Sequence, residues 1–236
     1  PNAEQDPAVL DDDYLRAVLP GDAGGFVAFA EDNQGEIFGV TTWGGIYQLV
    51  VAGDAEPVEA MPAVLSETGC FLENHAPAPG LVPYGLQSPL WSDGASKRRW
   101  LALPDGTQAT LDARGDLQFP SGTVLAKEFT VDGARVETRL FMRHPDGVWA
   151  GYSYAWMDAE GRPLEDGRLL PDEATTWPVP GSDAQWTFPS RGQCTTCHTA
   201  GAGGSLGVEV GYLNSAFEYP GGVTANQLYT LSAIGL

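Results

Sequence analysis

The residues with the clearest chemical potential are Cys194-Thr195-Thr196-Cys197-His198. Two thiols separated by two residues can each form a thioether with one vinyl group of a haem, and a histidine directly after the second thiol can ligate the iron. The spacing therefore predicts one c-type haem attached covalently through Cys194 and Cys197, with His198 as the axial ligand. Such a group would give the chain a redox function.

Two other kinds of site share a CxxC pair. A zinc site needs four ligands, and outside the pentapeptide the chain offers only Cys70, His75 and His144 as cysteine or histidine donors. A thiol–disulfide exchange pair normally opens a helix after a strand in a βαβ setting, and this sequence lacks that pattern. Both alternatives stay open, but the histidine that follows the second cysteine favours haem.

The residue that would ligate the iron opposite His198 is harder to place. No methionine or histidine follows His198, so the ligand must come from earlier strands or the position is open. Met142 is the first candidate, because a strand would put it on one face with His144. His144 itself and Met157 are the further candidates. The competing interpretations are core packing for the methionines and a surface position for His144.

Composition narrows the classes of function. The chain has 236 residues, 43% hydrophobic and 18% charged, which is enough for a packed core. Its formal net charge of −19 argues against nucleic acid or an anionic membrane as a partner. There is no apolar run of about 18 residues, so no membrane span is predicted. Calcium at Asp11-Asp12-Asp13 is a further possibility, but the run lacks the glycine and the distal glutamate of a dedicated calcium loop, so a solvated acidic turn is the favoured interpretation.

Short apolar runs separated by Gly and Pro turns predict a mainly β fold, with an antiparallel β sandwich or barrel-like domain. Residues 1–52 contain a propeller-blade-like β meander, residues 53–64 are expected to form a linker, and residues 65–236 form the β-rich domain. In that domain, residues 157–183 are expected to be loop. A short helix should carry the CxxCH residues, and a helix over 223–234, capped by Thr224, should end the chain.

Two stretches resemble known families. Residues 25–51 are similar to one blade of a β-propeller of the soluble sugar-dehydrogenase type, and such a blade is expected either to pack on the rest of this chain or to be the remnant of a longer one. Residues 65–236 resemble a family of bacterial c-type cytochromes, often dihaem, that are associated with such propellers. The motifs that carry this resemblance are residues 88–95 (SPLWSDGA), 119–127 (FPSGTVLAK), 136–140 (VETRL), 151–156 (GYSYAW), 188–191 (FPSR) and 222–228 (GVTANQL).

The resemblance implies electron transfer, with a redox partner protein or a fused dehydrogenase or cytochrome domain, rather than an enzyme with its own substrate. Family members commonly carry a second CxxCH segment, whereas this chain has one. Covalent haem attachment takes place outside the bacterial cytoplasm, so a periplasmic or extracellular location is expected. Arg191, which lies just before the haem motif, is a candidate for a haem propionate. Further candidates for that contact are Lys97, which comes shortly after the 88–95 motif, and Lys127, which ends the 119–127 motif.

Two other functions remain as alternatives to electron transfer. A peroxidase-like haem enzyme would need an open distal side and a nearby acid–base group, for which His144 is the candidate. A non-redox module would use the haem only to stabilise the fold.

Overall fold

The computed structural model describes residues 26–33, 35–42, 45–49, 61–113, 115–145, 147–199 and 202–236. The chain divides into two compact units, Pro1–Glu59 and Ala60–Leu236. The acidic run at residues 11–13 and most of the predicted linker lie outside the described residues.

The first unit contains a three-stranded antiparallel sheet. Its strands are β1 (Phe26–Glu31), β2 (Ile37–Thr41) and β3 (Ile46–Leu49), and they pair in the order β1-β2-β3. Glycine-containing turns separate three short apolar runs here, which is the pattern of a meander. Val27 and Phe29 are exposed, because a sheet of this size cannot bury both of its faces.

The second unit is built on a six-stranded antiparallel sheet, with strand order β11-β10-β9-β8-β5-β4. Its strands are β4 (Val82–Pro83), β5 (Ser96–Ala102), β8 (Val124–Val131), β9 (Ala134–Arg143), β10 (Trp149–Met157) and β11 (Pro163–Leu169). Asp132 and Gly133 have φ angles of 47° and 83°, as a tight turn between β8 and β9 requires. The prediction of a mainly β, antiparallel, sandwich-like fold is confirmed, and the described sheets do not close into a barrel.

Smaller elements pack around this sheet. The hairpins are formed by β6 (Thr110–Leu111) with β7 (Leu117–Gln118), β12 (Thr175–Pro178) with β13 (Gln185–Phe188), and β14 (Ala216–Tyr219) with β15 (Val223–Asn226). The helices of the described chain are α1 (Arg191–Cys197), α2 (Val210–Leu213) and α3 (Gln227–Ala233). None of them is long and apolar enough to cross a membrane.

The six-stranded sheet has an apolar cluster on each face. Successive side chains of a strand point to opposite faces. One face carries Trp100, Leu140 and Tyr154, which belong to one core cluster. The other face carries Leu125 and Phe141, which belong to a second cluster together with Cys194 of α1. The first face is called here the Trp100 face and the second the Phe141 face.

Two expectations about the second unit were wrong. Residues 157–183 are not a loop, because β11 and β12 lie within them. The C-terminal helix begins at Gln227, with Asn226 rather than Thr224 as its N-cap, because the preceding residues form β15. At the end of the predicted linker, the carbonyl of Ala63 accepts a backbone hydrogen bond from Leu169 over 2.9 Å.

Candidate cofactor-attachment site

A capping box sets the start of α1, the helix that carries both cysteines of the CxxCH motif. The Ser190 hydroxyl accepts a hydrogen bond from Gln193 N over 3.3 Å, and Gln193 Oε1 accepts one from Ser190 N over 3.0 Å. Two backbone N–H groups that would otherwise be unpaired at the helix start are satisfied in this way. The short helix predicted to carry the CxxCH residues is therefore present, and it begins at Arg191, three residues before Cys194.

Close packing on β10 holds α1 against the Phe141 face. A Cβ atom at Gly151 would lie 2.8 Å from Cys194 Sγ, so only glycine allows the helix to approach this strand so closely. Cys194 is buried, whereas Cys197, one turn further on, is exposed. The two thiols therefore present different environments to any group attached to both.

His198 is held in a single orientation at the C-terminal end of α1. Its Nδ1 lies 2.8 Å from the carbonyl oxygen of Gly204. A carbonyl oxygen only accepts, so Nδ1 carries the proton and Nε2 keeps a free lone pair. Histidines that ligate metals commonly show this arrangement, in which the second ring nitrogen donates to a carbonyl.

The surroundings of His198 keep its imidazole neutral. Burial, together with the positive charge of Lys127, lowers the pKa of His198 to about 4. The ring centroid of Phe141 is 3.9 Å from that of His198, and Trp149 stacks on Phe141 with centroids 5.2 Å apart. At Gly204, a Cβ would lie 2.8 Å from Trp149, so glycine is required where the loop returns to His198. A neutral imidazole with a free Nε2 is the protonation state that a metal ligand needs.

A cleft of about 420 Å³ opens beside these residues. Cys194, Cys197 and His198 form one wall, and Trp91 is part of another. Trp91 is 79% exposed, and the neighbouring segment is anchored by a hydrogen bond from Lys97 Nζ to the carbonyl oxygen of Leu90.

The remaining wall of the cleft is basic. Lys97 and Arg99 of β5, Lys127 of β8 and Arg139 of β9 line it. These four are a third of the 12 Lys and Arg residues of an otherwise acidic chain, and they include both of its lysines. Burial and the charges of Arg139, Arg99 and Lys97 lower the pKa of Lys127 to about 7. Burial alone would lower the pKa of Arg139, but the Glu137 carboxylate more than offsets this and raises it.

These features match what a c-type haem requires. Two thiols and a neutral imidazole with a free nitrogen lie in one wall of the cleft. The basic wall can offset the charge of two carboxylates, which a haem carries as its propionates. Aromatic side chains next to His198 would keep water from the group.

The residues predicted to ligate the iron opposite His198 lie away from the cleft. Met142 packs with Leu140 on the Trp100 face, which the sheet separates from His198. His144 shares that face, where its Nε2 is 2.9 Å from Tyr152 Oη. Met157 is fully buried with Trp186, outside the walls of the cleft. In this arrangement none of the three candidates contacts a group bound at the cleft.

Arg191 also has a different environment from the one expected. Its backbone N–H donates to Asp172 Oδ1, its guanidinium is 3.6 Å from Asp172 Oδ2, and it lies over the ring of Tyr152. The walls of the cleft do not include it, whereas Lys97 and Lys127 do belong to them. Sequence reasoning missed Arg99 and Arg139. The local signal for Arg99 was the run of three cations from Lys97 to Arg99 in β5.

The placement of the other candidate zinc ligands does not favour a zinc site. Cys70 packs in the cluster of the Trp100 face, and His75 contacts Trp156 of the same cluster with ring centroids 4.8 Å apart. Both are thus separated from Cys194 and Cys197 by the sheet. No group of three or more His, Cys, Asp or Glu side chains that could hold a metal occurs in the described part of the chain.

Comparisons with protein-family models, with curated proteins and with solved structures found no match for this chain.

The depressed pKa of His198 predicts a pH-dependent stability for the chain without haem. An unfolded histidine titrates near 6.5, whereas folded His198 titrates at about 4. Between these values the unfolded chain binds the extra proton, so the free energy of unfolding falls as the pH falls from about 6.5 to about 4. The expected loss from this residue is at most about 3.5 kcal/mol. Urea unfolding of the wild type and His198→Gln across this range would measure it, and equal pH profiles would contradict the prediction.

Proposed function

We propose that residues 65–236 bind one c-type haem through thioethers to Cys194 and Cys197, with His198 as axial ligand, and that the protein transfers single electrons. The observation that carries the proposal is the state of His198. Its Nδ1 is committed to the Gly204 carbonyl, its imidazole is neutral, and its Nε2 is free beside two thiols at a cleft.

Each group of residues at the cleft has a role in this proposal. When bound, the haem supplies one-electron redox chemistry. The Gly204 carbonyl holds the His198 ring and fixes its tautomer. The stacked pair of Phe141 and Trp149 excludes water from one side of the imidazole. The basic wall lowers the cost of bringing carboxylates into a desolvated cleft.

The proposed setting follows from the resemblance and from charge. The electron donor or acceptor would be a redox partner protein, a fused dehydrogenase domain or another haem, in the periplasm or outside the cell. A net charge of −19 would steer a basic partner towards the chain, with an association rate that falls as salt rises.

The positions of the candidate ligands favour one alternative. Because Met142, His144 and Met157 lie away from the cleft, none of the three would ligate a haem bound there, which would leave the position opposite His198 to solvent or to another side chain. An exchangeable position is what a peroxidase-like enzyme needs. His144 lies on the Trp100 face, away from the cleft, so it is not in position to act as the acid–base group of such an enzyme. A second candidate function is therefore a haem enzyme that would use Lys127 or a water as that group.

Expression in a host that matures c-type cytochromes tests the haem proposal. The intact mass of the native chain is expected to exceed the sequence mass by one haem, and the haem should remain after denaturation with acid and acetone. Both results follow from two thioethers to Cys194 and Cys197. A native chain with no added haem mass, from a host that matures a control cytochrome, would overturn the proposal.

The oxidised spectrum separates the two functions. Low-spin iron that resists cyanide indicates two strong axial ligands and supports electron transfer. High-spin iron that binds cyanide or peroxide rapidly indicates an open sixth position and supports the enzyme.

A further inference from the structure

Three neighbouring strands bring three cations together on the Phe141 face. Arg99 of β5 pairs with Lys127 of β8, and Lys127 pairs with Arg139 of β9. Directly opposite residues of an antiparallel pair have Cβ atoms about 5 Å apart, and like charges at such positions are destabilising. The row of Arg99, Lys127 and Arg139, called here the cation row, therefore needs negative charge nearby.

The described residues supply that charge at only one end of the row. Glu137 binds Arg139 through two hydrogen bonds of 2.8 Å, from Nε to Oε1 and from a terminal nitrogen to Oε2. Arg99 and Lys127 have no hydrogen bond to a carboxylate among the side-chain contacts of the described residues.

The Trp100 face of the same strands provides a contrast. There Arg98 pairs across the strands with Glu128 and donates two hydrogen bonds to it, of 2.9 Å and 2.5 Å. Arg135 lies 3.4 Å from the same carboxylate. Two cations on that face thus share a carboxylate, while Arg99 and Lys127 on the other face point into the cleft without one.

Arg99 is the member of the row with unused hydrogen-bonding capacity. The residue is 7% exposed, and its Nε is buried with no hydrogen-bond partner in the described structure. A buried donor without an acceptor is unfavourable, and an arginine matches a carboxylate in bidentate fashion. Arg99 lines the same cleft as Cys194, Cys197 and His198.

We propose that Arg99, with Lys127 beside it, binds the propionate carboxylates of the haem attached at Cys194 and Cys197. This assignment rests on the proposed function. It replaces Arg191 as the propionate-binding arginine, because Arg191 is engaged with Asp172 outside the cleft. The contact would neutralise both the haem carboxylates and the uncompensated part of the cation row.

The midpoint potential of the holoprotein is the first test. Arg99→Gln removes the positive charge beside the propionates, which favours the oxidised iron. We expect about a tenfold change in the redox equilibrium, which is a fall of about 59 mV for a one-electron couple. Arg98→Gln is the matched control, since it makes the same charge change on the other face of the same strand, and it should shift the potential far less. Equal potentials for Arg99→Gln and Arg98→Gln would overturn the assignment.

A second test separates direct contact from a charge effect through space. The full chain with Cys194→Ser and Cys197→Ser is titrated with haem and with haem dimethyl ester, which lacks both carboxylates. Haem is expected to bind at least tenfold more tightly than the ester, and Arg99→Gln should abolish that preference. Equal affinity for the two compounds with Arg99 present would overturn the assignment. If Arg99→Gln yields no holoprotein, so that its potential cannot be measured, this titration alone tests the assignment.

The two proposals fail in different ways. A native chain that carries no covalent haem contradicts the proposed function. A chain that carries haem but shows neither the shift in potential nor the preference for free propionates contradicts only the role of Arg99.

Discussion

Replacing both Cys194 and Cys197 with serine is expected to abolish covalent haem attachment completely. Serine cannot form the thioethers, so the intact mass should equal that of the chain alone, and a denaturing gel stained for haem should be blank. Each single variant is expected to keep one thioether and a haem that survives denaturation, in lower yield. Cys194→Ser should have the lower yield of the two, because it places a hydroxyl in the tight contact with Gly151, whereas Cys197 is exposed.

Cys70→Ser provides the matched control for these variants. Cys70 is the only cysteine of the sequence outside the CxxCH motif, and it packs against the core cluster of the Trp100 face. The variant should retain a full complement of haem, even where its stability is lower than that of the wild type. Retention of the haem mass by the double variant, or its loss in Cys70→Ser, would contradict the proposed attachment.

The central strands of the second unit could be predicted from the sequence because their signals are local. Residues 124–131 and 134–143 are apolar and β-branched runs on either side of Asp132-Gly133, which allows the left-handed backbone of a tight turn. β10 is rich in aromatic residues instead. β-Branched and aromatic residues bounded by turn signals indicate such strands, even where β9 also carries four charged residues.

The edge of the sheet gave no comparable signal. β11 has the sequence PLEDGRL, in which charged residues outnumber apolar ones, because an edge strand with one solvated side can be polar. Its pairing with β10 is set by tertiary contacts such as the bridge from Val64 to Arg168. The C-terminal helix was predicted to start too early for a related reason. Residues 223–226 have a helix-compatible pattern, but their pairing with β14 makes them a strand.

Part of the candidate site could likewise be predicted from contiguous residues, whereas the rest depends on contacts between distant segments. The CxxCH residues are contiguous, so their chemistry can be predicted from spacing, and the haem itself stays a prediction. The residues opposite them depend on which face of a strand points at α1. Met142 follows Phe141 directly, and that single step puts it on the other side of the sheet from His198. The cation row depends on register across three strands, which sequence order does not reveal.

The carboxylate that compensates one end of that row carries the largest expected effect on stability. Glu137 is fully buried, and its two oxygens accept four hydrogen bonds. Besides the two from Arg139, Ser153 Oγ donates to Oε1 over 2.6 Å and Trp186 Nε1 donates to Oε2 over 3.0 Å. Glu137→Ala leaves a buried guanidinium without its counter-charge and two donors without acceptors. We expect a loss of about 3–5 kcal/mol in the free energy of unfolding, measured by urea or guanidinium denaturation.

A double variant distinguishes a buried charge from simple loss of packing. Glu137→Leu with Arg139→Met removes both charges and keeps most of the volume, so it should be clearly more stable than Glu137→Ala. Glu160→Ala is the surface control. Its carboxylate pairs with Arg162 at 2.9 Å, but both side chains are more than half exposed, and its loss should cost less than about 1 kcal/mol. A cost for Glu137→Ala no larger than that of Glu160→Ala would show that Arg139 does not depend on this carboxylate. The cation row would then need no compensating anion at either end, and Arg99 would have no electrostatic reason to bind the propionates.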